Sequence, residues 1–442
     1  MSKREKRLKL SVRLNIFLRI INIGLGLILV PILLTTLGKE KYGIWVTISV
    51  FVNWLNVFDL GIGQGFRLKL TEAFSLKRIS DIKKIVSTSY YFVAAVSFLL
   101  GLFFFISNIF FNWGQLLNIN QDYISETNYA IIVLVIFVLF IFFIKLIGEI
   151  YTSLQLPFVD NIIKTSSSII FFIVIITLYI FNIESSLIFI SIFSIAPLFL
   201  IYSILTFYFF KVKSPSLIPK VIFISKGVLR QILKPGLSFF LINIAGIILN
   251  YTDSLIILKL LSANDVADYS IYYKYYSFPF IFFNLYIASH WSSFIDAIAK
   301  EDYFWIKNKI RLFNRLFLLL IFSYIFLFIY NEELINIWIG KNKINDNTRL
   351  SLYMIIYFLV SSYTTIYIYV INANGKLTIQ LYGYSIIALI NIPLSIFLVR
   401  YFEMGTSGVI LASAICLFIL LVLIPIQYYK IINRKALGIW NK

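Results

Sequence analysis

The chain has 442 residues, of which 60% are apolar and 13% charged, about half the charged share usual in soluble proteins, and it carries a formal net charge of +19. No stretch is long and polar enough for a separate soluble domain, and the positive charge sits in short segments between apolar runs, so it does not signal nucleic acid. The single cysteine, Cys416, excludes an internal disulfide, no residue cluster has metal-ligand spacing, and no cofactor is implied.

In chain order, twelve apolar segments read as membrane spans, near residues 14–36, 43–65, 85–107, 128–149, 165–181, 185–210, 235–258, 267–291, 312–330, 350–372, 378–399 and 407–428. About 20 apolar residues at ~1.5 Å each cross a hydrocarbon core of ~30 Å. The expected fold is therefore an all-α polytopic membrane protein. An even number of spans places both termini on one side, and that side holds 28 of the 39 Lys and Arg against seven in the opposite loops. By the positive-inside rule both termini are cytoplasmic. The longest cytoplasmic segments after the tails, 67–84 and 211–234, are basic and partly amphipathic, suited to the anionic lipids of the inner leaflet.

The first two spans, joined by a six-residue polar loop, each carry a charge where hydrocarbon is expected. Ser11, Asn15, Arg19, Asn22 and Gly26 follow at helical spacing within roughly 80° of one face. Ser49, Asn53, Asn56, Asp59 and Gly63 form a similar stripe on the second span. The seventh span repeats it with Gly236, Asn243, Gly246, Asn250 and Asp253, and the eighth adds Lys274. A charge in mid-span costs roughly 2.5–3.5 kcal/mol on insertion scales, so it faces a partner or a wet cavity. Arg19 and Asp59 lie at similar depth near the cytoplasmic ends of their spans, and Asp253 and Lys274 near the outer ends of theirs. Each half thus holds an expected opposite-charge pair, read either as mutual neutralisation or as the lining of a substrate or ion cavity. Lys145 and Glu149, four residues apart, read as a local helix pair.

The chain also reads as a duplication. Asn15 and Asn22 match Asn243 and Asn250 at one offset, Tyr42 matches Tyr269, and Trp113 matches Trp338 in outer loops of similar length. This divides the chain into a six-helix lobe over 1–210, a basic linker over 211–234 and a second six-helix lobe over 235–442. The two repeats run parallel, since each begins on the same side.

No catalytic constellation or phosphate-binding glycine loop is present. The run Leu37-Gly38-Lys39-Glu40-Lys41-Tyr42-Gly43-Ile44-Trp45, followed by Phe58-Asp59-Leu60-Gly61-Ile62-Gly63-Gln64-Gly65-Phe66-Arg67, resembles the start of Wzx-type polysaccharide flippases of the MOP exporter superfamily. The likeness extends to Ile337-Trp338-Ile339-Gly340-Lys341 and Asn372-Ala373-Asn374-Gly375-Lys376. The resemblance implies a V-shaped two-lobe bundle in a bacterial cytoplasmic membrane, alternating access, and no enzymatic activity. Its substrate would be an undecaprenyl-pyrophosphate-linked oligosaccharide unit for O-antigen or capsule, with coupling to a proton or sodium gradient. Arg19 and Lys274 would then meet the head group, and Asp59 and Asp253 the ion. A MATE-like exporter of cationic drugs, a lipid II flippase and a membrane polymerase are the competing readings.

The charge bias makes a direct prediction. Reporter fusions after Lys84, Lys220 and Lys435 should report cytoplasm, and fusions after Lys39, Asn120 and Asn345 the outside; an outside signal at Lys220 would break the twelve-span topology.

Overall fold

The computed structural model describes residues 3–55, 62–154, 156, 158–233, 252–341, 343–344 and 347–441. Among these residues all regular structure is helical, as a chain that must satisfy its backbone inside hydrocarbon requires. Two compact units, Met1–Asn243 and Ile244–Lys442, divide the chain.

The first unit contains α1 (Lys3–Leu37), α2 (Lys39–Leu55), α3 (Ile62–Ser75), α4 (Ile79–Phe110), the short α5 (Trp113–Leu116), α6 (Gln121–Ile144), α7 (Leu146–Ser153), α8 (Phe158–Ile180) and α9 (Leu187–Tyr208). A π-helical turn at Phe209–Lys213, 3-10 turns at Pro215–Leu217 and Val221–Phe223, and helical residues 226–233 follow. The polar loop expected between the first two spans is reduced to one residue. Gly38 takes a φ of 77°, open to glycine without a Cβ penalty. α2 begins at once behind it, with Glu40 in the first turn, where a negative charge favours a helix N-terminus. Tyr42, two residues further on, is fully buried.

Within this unit α6 packs against α9 and α4, α1 against α8, and α3 against α7. Between helices in lipid, close approach and polar contacts replace the hydrophobic drive. Ser97 Oγ donates to the Leu139 carbonyl at 2.6 Å. One turn away, a Cβ on Gly101 would come 3.1 Å from the Leu139 side chain. At Gly65 the fit is closer still, because a Cβ there would run into the backbone carbonyl of Ile232.

The second unit contains α10, described over residues 252–260, then α11 (Ala263–Ala288), α12 (Trp291–Ala299), α13 (Tyr303–Ile329), α14 (Asn331–Ile339), α15 (Thr348–Asn374), α16 (Thr378–Arg400) and α17 (Gly405–Ile432). α15 lies at its centre, against α17, α11, α12 and α13. It is well bounded: Asn347 Oδ1 accepts from the Leu350 N–H at 2.9 Å, and Gly375 closes it at a φ of 71°, the turn that Asn374-Gly375 predicts. After α17 the chain folds back through Gly438–Asn441, and the Lys430 ammonium lies 3.8 Å from the centre of the Trp440 ring.

Nine helices among the described residues are long and apolar enough to cross a membrane, and they coincide with nine of the twelve expected spans. The second and seventh expected spans run into residues outside the described set. The eighth is α11, 26 residues long, with Asp265, Asp268, Lys274 and a series of tyrosines diluting its apolar character.

Gly65 provides a test of the packing. Gly65→Ala should lower the thermal midpoint of the detergent-solubilised protein by several degrees, because overpacking costs ~1–3 kcal/mol and a backbone carbonyl cannot swing aside. Gly24→Ala, where a Cβ meets nothing within 4 Å, should leave the midpoint unchanged.

Candidate functional site

The second unit buries a carboxylate. Asp253, on α10, is 4% exposed. Tyr269 on α11 donates its hydroxyl to Asp253 Oδ2 at 2.5 Å, and Ser413 on α17 directs its hydroxyl to Oδ1 at 3.5 Å. Asn391 on α16 donates from Nδ2 to Ser413 Oγ at 2.9 Å. Asn391 and Ser413 are both fully buried, and Asn391 Oδ1 has no partner among the described residues. Four helices therefore each contribute one polar group to a single chain of hydrogen bonds inside an apolar bundle.

The chain of polar groups adjoins a cavity of about 220 Å³. Tyr269 stacks on Tyr273 with ring centres 6.2 Å apart, and Tyr273 meets Tyr357 at 6.2 Å and Phe358 at 5.1 Å. Tyr273 and Tyr357 line the cavity together with Tyr384, Ser361, Thr364 and Thr365. These groups are hydroxyls and aromatic faces, able to hold a few waters or a small cation. The volume is too small for an oligosaccharide. An ionised carboxylate removed from water needs compensation, and here the described compensation comes from hydroxyl donors. The neighbourhood of Asp253 thus combines a buried carboxylate, hydroxyl donors and, beyond the Tyr269–Tyr273 stack, a small tyrosine-lined cavity.

The expected pairing of Asp253 with Lys274 gives way to this arrangement. Lys274, half-buried on α11, has interactions of its own, but both oxygens of Asp253 are met by hydroxyls. The helical register explains it: Tyr269 lies five residues before Lys274, so the two side chains leave α11 about 140° apart. In the first unit, Asn22 donates to Thr165 Oγ1 at 2.6 Å and to the Leu18 carbonyl at 3.0 Å, fastening α1 to α8. Arg19, three residues earlier, is exposed and forms no ion pair among the described residues. The side chain of Asn53 and the residues Asn56, Asp59 and Asn250 lie outside the described set, so the expected Arg19–Asp59 pair does too.

Two features of the first unit escaped the sequence reading. Glu149 faces Arg67 of α3 at 3.9 Å, while the Lys145 ammonium lies 5.1 Å from the Phe142 ring centre; the helix breaks at Lys145 between α6 and α7. Asp160 on α8 accepts from the Tyr202 hydroxyl at 2.6 Å and pairs with Lys164 at 2.7 Å. Gly148 leaves room for Asp160, since a Cβ there would lie 2.5 Å from its Oδ1. In the second unit, Ser413 and Asn391 also went unmarked, and Tyr269 was marked only as the repeat partner of Tyr42. The density of tyrosines along α11 was a further signal for Tyr269.

Comparison with known proteins bears on both units. The family model described as "Polysaccharide biosynthesis protein" matches residues 11–291. No curated protein matches the chain in sequence. Among solved structures, the chain is similar to a multidrug resistance MATE family transporter of the MOP superfamily in its inward-facing conformation, with a TM-score of 0.77, 10% identity, and coverage of 93% of this chain and 95% of the other. The outward-facing conformation of such a transporter matches with a TM-score of 0.65, 11% identity, and coverage of 99% and 97%. A MATE protein in complex with MaD3S matches with a TM-score of 0.63, 12% identity, and coverage of 98% and 96%. At these identities the likeness establishes the fold.

The hydrogen bonds to Asp253 make a measurable prediction. A hydrogen bond to a charged group contributes ~1.5–3 kcal/mol, so Tyr269→Phe should lower the unfolding midpoint of the purified protein. In an Asp253→Leu background the same substitution should have little further effect. Equal losses in both backgrounds would show that Tyr269 acts through packing alone.

Proposed function

The chain belongs to the polysaccharide biosynthesis protein family, and from that premise we propose that it is a flippase that carries undecaprenyl-pyrophosphate-linked oligosaccharide units from the inner to the outer leaflet of a bacterial cytoplasmic membrane. The family match supports the substrate class, and the MATE-like helical fold supports a transporter without catalytic chemistry of its own. The observation that carries the mechanism is the buried Asp253 with its hydroxyl shell and adjoining small cavity.

In this reading the two tasks of the transporter are separated. Asp253 takes up a proton or sodium ion, and neutralising it removes the cost of holding a charge in the bundle. That change biases the packing of α10, α11 and α17, whose side chains meet at the carboxylate, and a ligand that favours one of two packings shifts their populations. The pyrophosphate head group is met by cations such as Arg19, whose planar guanidinium grips phosphate oxygens in pairs, with Lys274, Asn22, Asn53, Asn56, Asp59 and Asn250 completing the polar surfaces along the translocation route. The two units serve as the two lobes of the transporter, the basic segment 211–234 belonging to the first.

Deleting the gene should abolish surface polysaccharide while completed lipid-linked units accumulate on the cytoplasmic leaflet. Complementation with Asp253→Asn should restore the protein to the membrane, because the amide keeps the size and an acceptor for Tyr269, but should not restore polysaccharide. Arg19→Lys should restore it only in part and Arg19→Ala not at all. Intact surface glycan in the deletion strain, together with expulsion of cationic dyes by the purified protein in liposomes, would replace this reading with that of a drug exporter.

A further inference from the structure

The segment after α9 is held on the first unit along one side and left bare along the other. On the held side, Phe209, Phe210 and Leu217 are buried. Phe210 meets Tyr90 edge-on at 5.4 Å, and Phe209 meets Tyr151 at 5.8 Å. Two backbone amides complete the attachment: the Lys220 N–H donates to Ser87 Oγ at 3.1 Å and the Ser225 N–H to Thr88 Oγ1 at 3.0 Å. Both acceptors are buried residues of α4. Phe223 lies under the Lys83 ammonium, 5.8 Å from its ring centre. Residues 209–225 are thus a strap fixed to α4 rather than a free tether.

The bare side carries a different set of residues. Ile222 is 83% exposed and Val221 66%, and Val212 and Ile224 are exposed as well. Lys211, Lys213, Lys220 and Lys226 are exposed among them, and residues 211–233 contain no acidic residue. The neighbouring start of α4 adds exposed Lys77, Arg78, Lys84 and Ile79. Of the acids nearby, Asp81 is half-buried, and Glu72 is committed to Lys69 at 2.9 Å, a contact that holds its carboxyl below the ordinary range.

Position identifies the surface that this face meets. α4 is 32 residues long, about 48 Å at ~1.5 Å per residue, well over the ~30 Å hydrocarbon core. The span read from the sequence, 85–107, puts Ser87 and Thr88 within its first turn at the cytoplasmic end, next to the headgroups, and the residues of α4 before it lie beyond the core. The strap is bonded to that turn. A segment at that depth, with adjoining branched aliphatics and with Lys220 and Lys226 exposed and forming no ion pair among the described residues, has the composition of an interfacial element.

We propose that residues 211–226 form an interfacial strap that docks on an anionic phospholipid surface, Lys220 and Lys226 meeting lipid phosphates while Val221 and Ile222 enter the upper acyl region. With both termini cytoplasmic, as the charge bias implies, that surface is the inner leaflet. The strap then couples the start of α4 to membrane charge whatever substrate the protein carries.

The test uses full-length Cys416→Ser/Ile222→Cys protein bearing an environment-sensitive fluorophore at position 222. It is reconstituted in nanodiscs of phosphatidylcholine alone or with phosphatidylglycerol, each doped with phospholipid spin-labelled near the top of the acyl chain. Blue-shifted emission and quenching that strengthen with phosphatidylglycerol, and weaken severalfold when Lys220→Gln and Lys226→Gln are added, support the proposal. Water-like, unquenched emission in both bilayers overturns it and leaves the face to solvent or a soluble protein. Quenching that is equal in the two bilayers, or unaltered by the lysine substitutions, overturns the anionic recognition and leaves apolar insertion alone. Retained thermal midpoint in the glutamine variants guards against misfolding, since neither lysine forms an ion pair among the described residues.

Discussion

A carboxylate excluded from water is the constraint on which the second unit depends. Asp253 cannot rest against leucine and isoleucine side chains without hydrogen-bond donors, and the donors come from α11 and α17, with α16 one bond further away. Each of these helices must therefore present one residue in one rotational setting. The polar chain gives the helices a register that apolar packing alone specifies poorly, because one aliphatic surface fits another in many ways. Tyr269, held by the carboxylate, stacks in turn on Tyr273, which lines a small cavity together with Tyr357.

The first unit meets the same problem by different means. Its helices are fastened by isolated contacts: Asn22 to Thr165, Ser97 to the Leu139 carbonyl, Tyr202 to Asp160. Close approaches at Gly65, Gly101 and Gly148 bring the helices near enough for such bonds. In lipid, where hydrocarbon surrounds folded and separated helices alike, packing and polar contacts of this kind supply much of the association energy.

The strap after α9 follows the same logic. Its own backbone cannot form a continuous helix through Pro215 and Pro219, because proline removes donors and clashes with the preceding turn. Two of its amides are instead satisfied by hydroxyls of α4. Satisfying them from one side leaves the aliphatic and cationic side chains to the other, so the same local necessity that fixes the segment to the protein also creates its bare face.

The sequence by itself located the nine spans that described helices match, because helix length and hydrocarbon thickness are fixed physical scales and those apolar runs meet them. It also marked the residues least comfortable in lipid, Arg19, Asn22, Asp253 and Lys274, since a polar group in an apolar run is visible without coordinates. Partners were another matter. Asp253 bonds to Tyr269 across 16 residues and to Ser413 across 160, and neither a tyrosine nor a serine stands out in a chain that holds 29 tyrosines. Asn22, grouped by helical spacing with Arg19, turned inward to Thr165 while Arg19 stayed exposed, because a spread of tens of degrees around a helix is enough to separate a helix contact from an open surface. Periodicity assigns a residue to an arc of its own helix; only tertiary structure, by setting the rotation of each helix against its neighbours, decides what that arc faces.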